Sequence, residues 1–160
     1  AFCAAIEVNP GHANAHNNLG FLLQYERQAV DGAEKAYRAA IKADPRHADA
    51  HCNLGTLLKE RGQVGAAEKC YRRAIQANPE IADCHWNLGD LLENKKKDLQ
   101  GAEAAYSAAV AADPENAEAR EAALRVRAAL AAPSRKDGKG KEGQKGKKGP
   151  ALREVEQSSV

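Results

Sequence analysis

The sequence has no methionine, one tryptophan, two phenylalanines and four tyrosines in 160 residues. Pleated sheets favour β-branched and aromatic side chains, so their scarcity argues against an all-β domain. No apolar run approaches the eighteen or so residues that a membrane-spanning helix needs, which excludes a transmembrane helix. The missing methionine extends to the first position. Ala1 to Val8 has no basic stretch ahead of an apolar core, so it is not a signal peptide. The chain reads as one that begins inside a longer protein. Cysteines are few: Cys3, Cys52, Cys70 and Cys84, with no Cys-x-x-Cys pair. That usage suits reduced thiols in a cytosolic, or equally a nuclear, protein that is not secreted.

What is present points to helix. Alanine leads with 34 copies, and Leu, Glu, Lys, Gln and Arg fill most other positions. Charge divides the chain in two. Residues 1–132 carry 16 Lys+Arg against 18 Asp+Glu, and residues 133–160 carry 8 against 4. The body therefore has no global electrostatic footprint for nucleic acid; only the tail is basic.

Internal repetition dominates the body. The segments Ala13–Pro45, Ala48–Pro79 and Ala82–Pro114 align, and Ala117 opens a fourth. The shared skeleton is Ala-x-x-His-x-Asn-Leu-Gly-x-Leu-Leu, then Ala-Glu-x-x-Tyr-x-x-Ala-Ile/Val, then Asp/Asn-Pro. Leu19, Leu22 and Leu23 recur at helical spacing, as do Tyr37, Ala40 and Ile41. Gly20, Gly55 and Gly89 fall mid-helix, where glycine costs about 1 kcal/mol against alanine. Three such glycines imply close approach of a neighbouring helix. Ala33, Ala67 and Ala102 are expected to face them, with Tyr37, Tyr71 and Tyr106 filling the space between units. Pro45, Pro79 and Pro114 end each second helix. The first and third units hold one extra residue, between Tyr25 and Gly32 and between Asn94 and Gly101, in a turn where insertions cost little.

The pattern predicts eight helices: 1–8, 13–26, 30–43, 47–61, 64–77, 81–94, 98–111 and 116–131. Residues 1–12 read as the second helix of an incomplete unit. Residues 13–47, 48–81 and 82–116 form three full units. In the last helix Leu124 takes the glycine's place and no second helix follows, so residues 117–132 read as a capping helix with a solvated charged face.

These residues resemble the tetratricopeptide repeat, a helix–turn–helix unit of about 34 residues. The resemblance covers residues 1–131 and implies an all-α, right-handed α-solenoid whose concave wall is lined by the first helix of each unit. It further implies a protein-interaction module that binds an extended peptide or a partner helix on that wall, with no cofactor. Side chains at i, i+3, i+4 and i+7 share a helix face. The wall opposite the leucines is then Asn14, Asn17, Asn18, Phe21 and Tyr25 in the first unit. In the second it is Asp49, Cys52, Asn53, Thr56, Lys59 and Glu60, and in the third Asp83, Trp86, Asn87, Asp90 and Asn94.

Asn18, Asn53 and Asn87 repeat at one register although Asn is a poor helix-interior residue. A carboxamide donates to a peptide carbonyl and accepts from an N–H, so a row of them suits an extended backbone. This ladder looks like that of the repeat domain in O-linked N-acetylglucosamine transferases, which implies an alternative as the substrate-recognition arm of a glycosyltransferase. The competing reading is that these asparagines bridge neighbouring units. Trp86, Phe21 and Tyr25 are candidate anchors, with packing against the next unit the alternative for Trp86. A third reading is a structural module that self-associates through its convex face or open end.

The subtype that clamps the C-terminal carboxylate of heat-shock chaperones uses Lys and Arg on the first helices. Here the matching positions hold Asn17, Phe21, Asn53, Asp83 and Asn87, so that binding is not expected. His12 with His16, and His47 with His51, have the four-residue spacing of a metal pair, but no further ligands complete a site. His16, His51 and His85 read as packing residues with a satisfied ring nitrogen. No nucleophile elbow or phosphate loop is present, so no enzyme is expected.

Residues 133–149, PSRKDGKGKEGQKGKKG, hold five glycines and seven Lys or Arg. Such a segment cannot bury enough surface to fold, and the tail reads as disordered. Its functional reading is weak, salt-sensitive contact with acidic partners, nucleic acid or an anionic membrane. Ser158-Ser159-Val160 loosely fits C-terminal strand addition to PDZ domains.

Overall fold

The computed structural model describes residues 9–132, and within them every element is helical. The helices are α1 (Ala13–Tyr25), α2 (Val30–Ala43), α3 (Ala48–Glu60), α4 (Val64–Ala77), α5 (Ala82–Leu91), α6 (Leu99–Ala112) and α7 (Ala117–Ala131). A five-residue π-helical turn, Leu92–Lys96, continues α5. The helix expected over residues 1–8 and the tail from 133 lie outside the described residues.

The chain is an α-solenoid. Helices pair within each unit (α1 with α2, α3 with α4, α5 with α6), and α7 packs on α6. The first helices also touch in sequence, α1 with α3 and α3 with α5. One continuous core runs through the stack, from Ala33 and Tyr37 to Val126.

Glycine sets the pairing distance. A methyl group built on Gly20, Gly55 or Gly89 would lie 2.6–2.8 Å from ring carbons of Tyr37, Tyr71 or Tyr106 respectively. The nearest side chains to the glycines are these tyrosines, and each ring packs on the glycine of its own unit. Helical side chains lean toward the N-terminus, which carries each ring back over the turn that its alanine occupies. All three rings are fully buried. Each hydroxyl bonds inside its unit: Tyr37 donates to Gln24 Oε1 at 2.9 Å, Tyr71 to Thr56 Oγ1 at 3.3 Å and Tyr106 to Glu93 Oε2 at 3.0 Å.

The histidines hold the unit boundaries. Nε2 of His16, His51 and His85 donates to the carbonyls of Pro10, Pro45 and Pro79, at 2.9, 3.0 and 2.8 Å. Each ring ties the first helix to the proline turn six residues earlier. His12 and His47 serve differently, as N-caps whose Nδ1 accepts from the N–H of Ala15 and Ala50. That requires a neutral ring with its proton on Nε2, and His47 Nε2 donates across to Asn14 Oδ1 at 2.8 Å.

The extra residues of the first and third units sit in the turn. Gln63 N–H closes the second unit's turn on Leu58 O, five residues back, at 2.9 Å. The equivalent bonds, Ala29 to Leu23 (2.7 Å) and Asp98 to Leu92 (2.9 Å), each span six. The longer turns place Gln28 (φ 51°) and Lys97 (φ 59°) in the left-handed region, where the second unit has Gly62 (φ 74°). In the third unit the surplus also widens the helix end into the π turn.

Leu124, at the glycine register of α7, is 65 % exposed. A leucine there leaves no seat for a tyrosine ring. The arginines of α7 are not merely solvated: Arg125 pairs with Glu93 at 2.7 Å, and Arg127 pairs with Glu103. These pairs latch α7 to the third unit.

Candidate functional site

A cavity of about 400 Å³ crosses the first-helix side of the stack. Tyr25 of α1, Asp49, Cys52, Asn53 and Thr56 of α3, and Asp83, Trp86 and Asn87 of α5 line it. Ile81, Asn116 and Glu118 complete the lining. Eight of the wall residues expected from sequence thus meet in one groove.

Eight others stand apart from it, most of them engaged by neighbours; Glu60 accepts from Gln24 Nε2 at 3.1 Å. Asn14 accepts from His47, and Asn17 is buried, accepting from Asn53 Nδ2 at 3.1 Å. Lys59 pairs with Asp90 at 2.9 Å and also donates to Asn87 Oδ1 at 3.5 Å. Asn94 donates to the other oxygen of Asp90 at 2.8 Å. Asn18 is exposed and makes no side-chain hydrogen bond among the described residues. Phe21 is exposed and stacks obliquely on Tyr25, ring centroids 4.6 Å apart.

Two of the three repeated asparagines, Asn53 and Asn87, therefore spend part of their bonding capacity between units. Each carboxamide retains unused groups, since Asn has two donors and two acceptor lone pairs. Cys52 lines the groove but is 6 % exposed, its thiol lying against that of Cys84 on α5. Thr56 is tied on both sides, donating to Cys52 O and accepting from Tyr71.

Trp86 packs half-buried against the core, and its indole N–H is shut off from solvent with no acceptor. An orphaned buried donor is costly, about 1–3 kcal/mol. Burial, with the charge of Glu60 second, raises the Tyr25 phenol, so it stays a neutral donor at the groove's first-unit end.

Charge on the groove is of one sign. Its lining holds Asp49, Asp83 and Glu118 and no Lys, Arg or His. All three carboxylates sit in the first turn of their helices, α3, α5 and α7. Among the described residues none of the three has an ion-pair partner.

Sequence reasoning did not find Ile81, Asn116 and Glu118. The signal for Glu118 was present: Asn14, Asp49, Asp83 and Glu118 occupy one register, and extending the wall into the fourth unit reaches it. Ile81 and Asn116 are the N-cap residues of α5 and α7, and the helix-face argument does not cover positions outside the helix.

Cys52, Cys70 and Cys84 carry free thiols. The neighbouring Cys52 thiol and burial push the Cys84 thiol far above the ordinary thiol range, which suits packing rather than nucleophilic attack. Among the described residues no group of three His, Cys, Asp or Glu stands ready to hold a metal ion, and no helix is long and apolar enough to cross a membrane.

A protein-family model described as tetratricopeptide repeat matches residues 1–48, 21–58 and 52–117. No sequence among curated proteins matches the chain. Among solved structures, the chain is similar to YrrB, described as a TPR protein with an unusual peptide-binding site. The identity is 25 % and the TM-score 0.74, over 82 % of this chain and 66 % of that one. It is similar in fold to MamA (19 % identity, TM-score 0.70, 81 % of this chain and 75 % of that one). It also shares the fold of the first TPR of Spaghetti (RPAP3) bound to the HSP90 peptide SRMEEVD, at 21 % identity and TM-score 0.67, over 74 % and 93 %.

Proposed function

The chain belongs to the tetratricopeptide repeat family, and from that premise we propose that it is a protein-interaction module holding an extended segment of a partner in the α1–α3–α5 groove. The observation that carries this reading is one groove in which side chains from all four first helices converge. Ligand sites combine apolar surface with a few convergent polar groups, and here Tyr25 and Trp86 flank Asn53 and Asn87. The Phe21–Tyr25 pair adds exposed aromatic surface beside the first-unit end. Asn53 and Asn87 supply their remaining amide groups to a peptide backbone, and Asn18 is uncommitted. The similarity to YrrB, a TPR protein with a peptide-binding site, supports the same reading.

The acidic lining argues against a terminal carboxylate or an acidic peptide of the kind that Spaghetti binds. The glycosyltransferase-arm alternative rests on the asparagine register, and no feature of the groove favours it. The self-assembly alternative, through the convex face or the open N-terminal end, has no comparable convergence of side chains among the described residues to favour it.

The test is selection from a displayed library of short random peptides on the immobilised full-length chain. Bound sequences should lose about tenfold or more in affinity on Tyr25→Ala, as at binding hot spots. They should be rejected by Asp83→Lys if cationic, and SRMEEVD should not bind. Selected peptides that ignore both substitutions would overturn the groove reading.

A further inference from the structure

We propose that the groove's resident occupant is the chain's own basic segment, residues 133–149, folded back in extended form as a built-in competitor for partner segments. This rests on the groove reading above and names what regulates it.

Charge complementarity is the first argument. The groove presents Asp49, Asp83 and Glu118 with no cation in its lining. Residues 133–149 carry seven Lys or Arg against Asp137 and Glu142. The second argument is the pattern of those charges. In an extended chain, residues two apart face the same side at about 6.6 Å spacing. Arg135, Lys139, Lys141, Lys145 and Lys147 share one parity, while Gly138, Gly140 and Gly146 fall on the other. The extended segment thus presents a mainly cationic edge, broken by Asp137, while the other edge mixes the three glycines with Lys136, Glu142, Gln144 and Lys148; the first edge is the one that suits an acidic groove.

Reach is the third argument. The segment follows α7 directly, and the N-terminal turn of α7 supplies Asn116 and Glu118 to the groove. Returning along α7 spans about 22 Å, whereas the residues from Pro133 to Lys148 extend to about 53 Å. Tethering gives an effective concentration in the millimolar range, so contacts too weak to hold a free peptide suffice in cis. A partner segment then displaces the tail, and high salt or neutralisation of the lysines opens the groove.

Trp86 is the chain's sole tryptophan and lines the groove, so its fluorescence reports the occupant. Quenching by acrylamide, a neutral probe, would be measured on the full-length chain from about 0.01 M to about 1 M salt, where the Debye length falls from about 30 Å to about 3 Å. Two full-length variants accompany it. One carries Lys139, Lys141, Lys145 and Lys147 as Ser; the other carries Asp49→Asn, Asp83→Asn and Glu118→Gln. Circular dichroism checks that each is folded.

Native protein should be protected at low salt and lose that protection at high salt. Both variants should be open throughout, and a synthetic 133–149 peptide should restore protection to the lysine variant but not to the carboxylate variant. Salt-independent quenching of native protein would overturn the proposal. So would protection that scales with protein concentration, which would assign the groove to a neighbour's tail. If quenching is silent while selected peptides still depend on Tyr25 and Asp83, only the tail inference falls. If both are silent, the groove reading falls with it.

Discussion

Equivalent wall positions in the first unit and in the second and third units are used in opposite ways. At one register Asn18 is exposed with no side-chain bond, while Asn53 and Asn87 bridge to Asn17 and Lys59. At the next, Phe21 is open to solvent, whereas Thr56 is bonded to Tyr71 and Asp90 is paired with Lys59. The difference comes from neighbours. Asn53, Asn87 and Asp90 each find a partner on the preceding first helix, Asn17 for the first and Lys59 for the other two, while Thr56 is held by the second helix of its own unit. A repeat fixes the backbone register; the role of a register position depends on what the adjoining unit presents there.

The strongest way to sharpen the contrast is to truncate a tyrosine in each setting. Tyr71→Ala removes a fully buried ring from the shared core and should cost about 3–5 kcal/mol, as for other buried aromatics. Tyr25→Ala, on the open wall, should change stability by no more than about 0.5 kcal/mol while weakening peptide capture. Denaturant unfolding separates the two. A large stability loss at Tyr25 would mean that the first-unit wall is structural after all.

Gly55→Ala comes next. The added methyl meets the Tyr71 ring at 2.7 Å, and overpacking should cost about 1–3 kcal/mol, outweighing alanine's gain in helix propensity. A more stable variant in thermal melts would show that the ring yields.

Lys59→Ala breaks the seam between the second and third units. It leaves Asp90, about a quarter exposed, without its cation and Asn87 without a donor. The expected cost is about 1 kcal/mol, the upper end for a partly exposed pair. Its more telling effect is on binding: Asn87 should then resemble Asn18, and peptide affinity should rise. Unchanged affinity, read by calorimetry, would mean that the bridge does not compete with the ligand.

The smallest effect concerns acid. Arg125, and secondarily Tyr106, hold the Glu93 carboxyl below its ordinary value of 4.5. A carboxyl lowered in the folded state adds stability that is complete above the unfolded value and lost as pH falls through the folded one. Native protein should therefore weaken below about pH 4.5, and Glu93→Gln should flatten that limb. Parallel acid limbs would assign the loss elsewhere, with Glu68, similarly lowered by Lys96, the first alternative.

Helix placement was legible because period, proline stops and glycine contacts repeat three times, and repetition averages out local noise. Observed helices such as Val30–Ala43 and Val64–Ala77 coincide with the expected ranges. The contact of each tyrosine ring with its own unit's glycine was not legible, because sequence spacing does not encode the backward lean of a helical side chain. In the groove, helix-face geometry brought eight expected residues together, yet it gave no sign that Asn53 would spend a donor on Asn17. That bond depends on the offset between α1 and α3, a tertiary quantity. Glu118 was readable from its register, while Ile81 and Asn116 lie just before helices and outside the face argument.

Recognition takes place in the groove on this reading of the fold. Its most direct test is amide and indole chemical-shift mapping of the full-length chain on titration with a selected peptide. Perturbations should concentrate at Tyr25, Asn53, Thr56, Asp83 and Trp86. Shifts confined instead to Ile75, Leu88, Ala104 and Ala108, which line the separate apolar cavity between α4 and α6, or to Leu124 on α7, would contradict it.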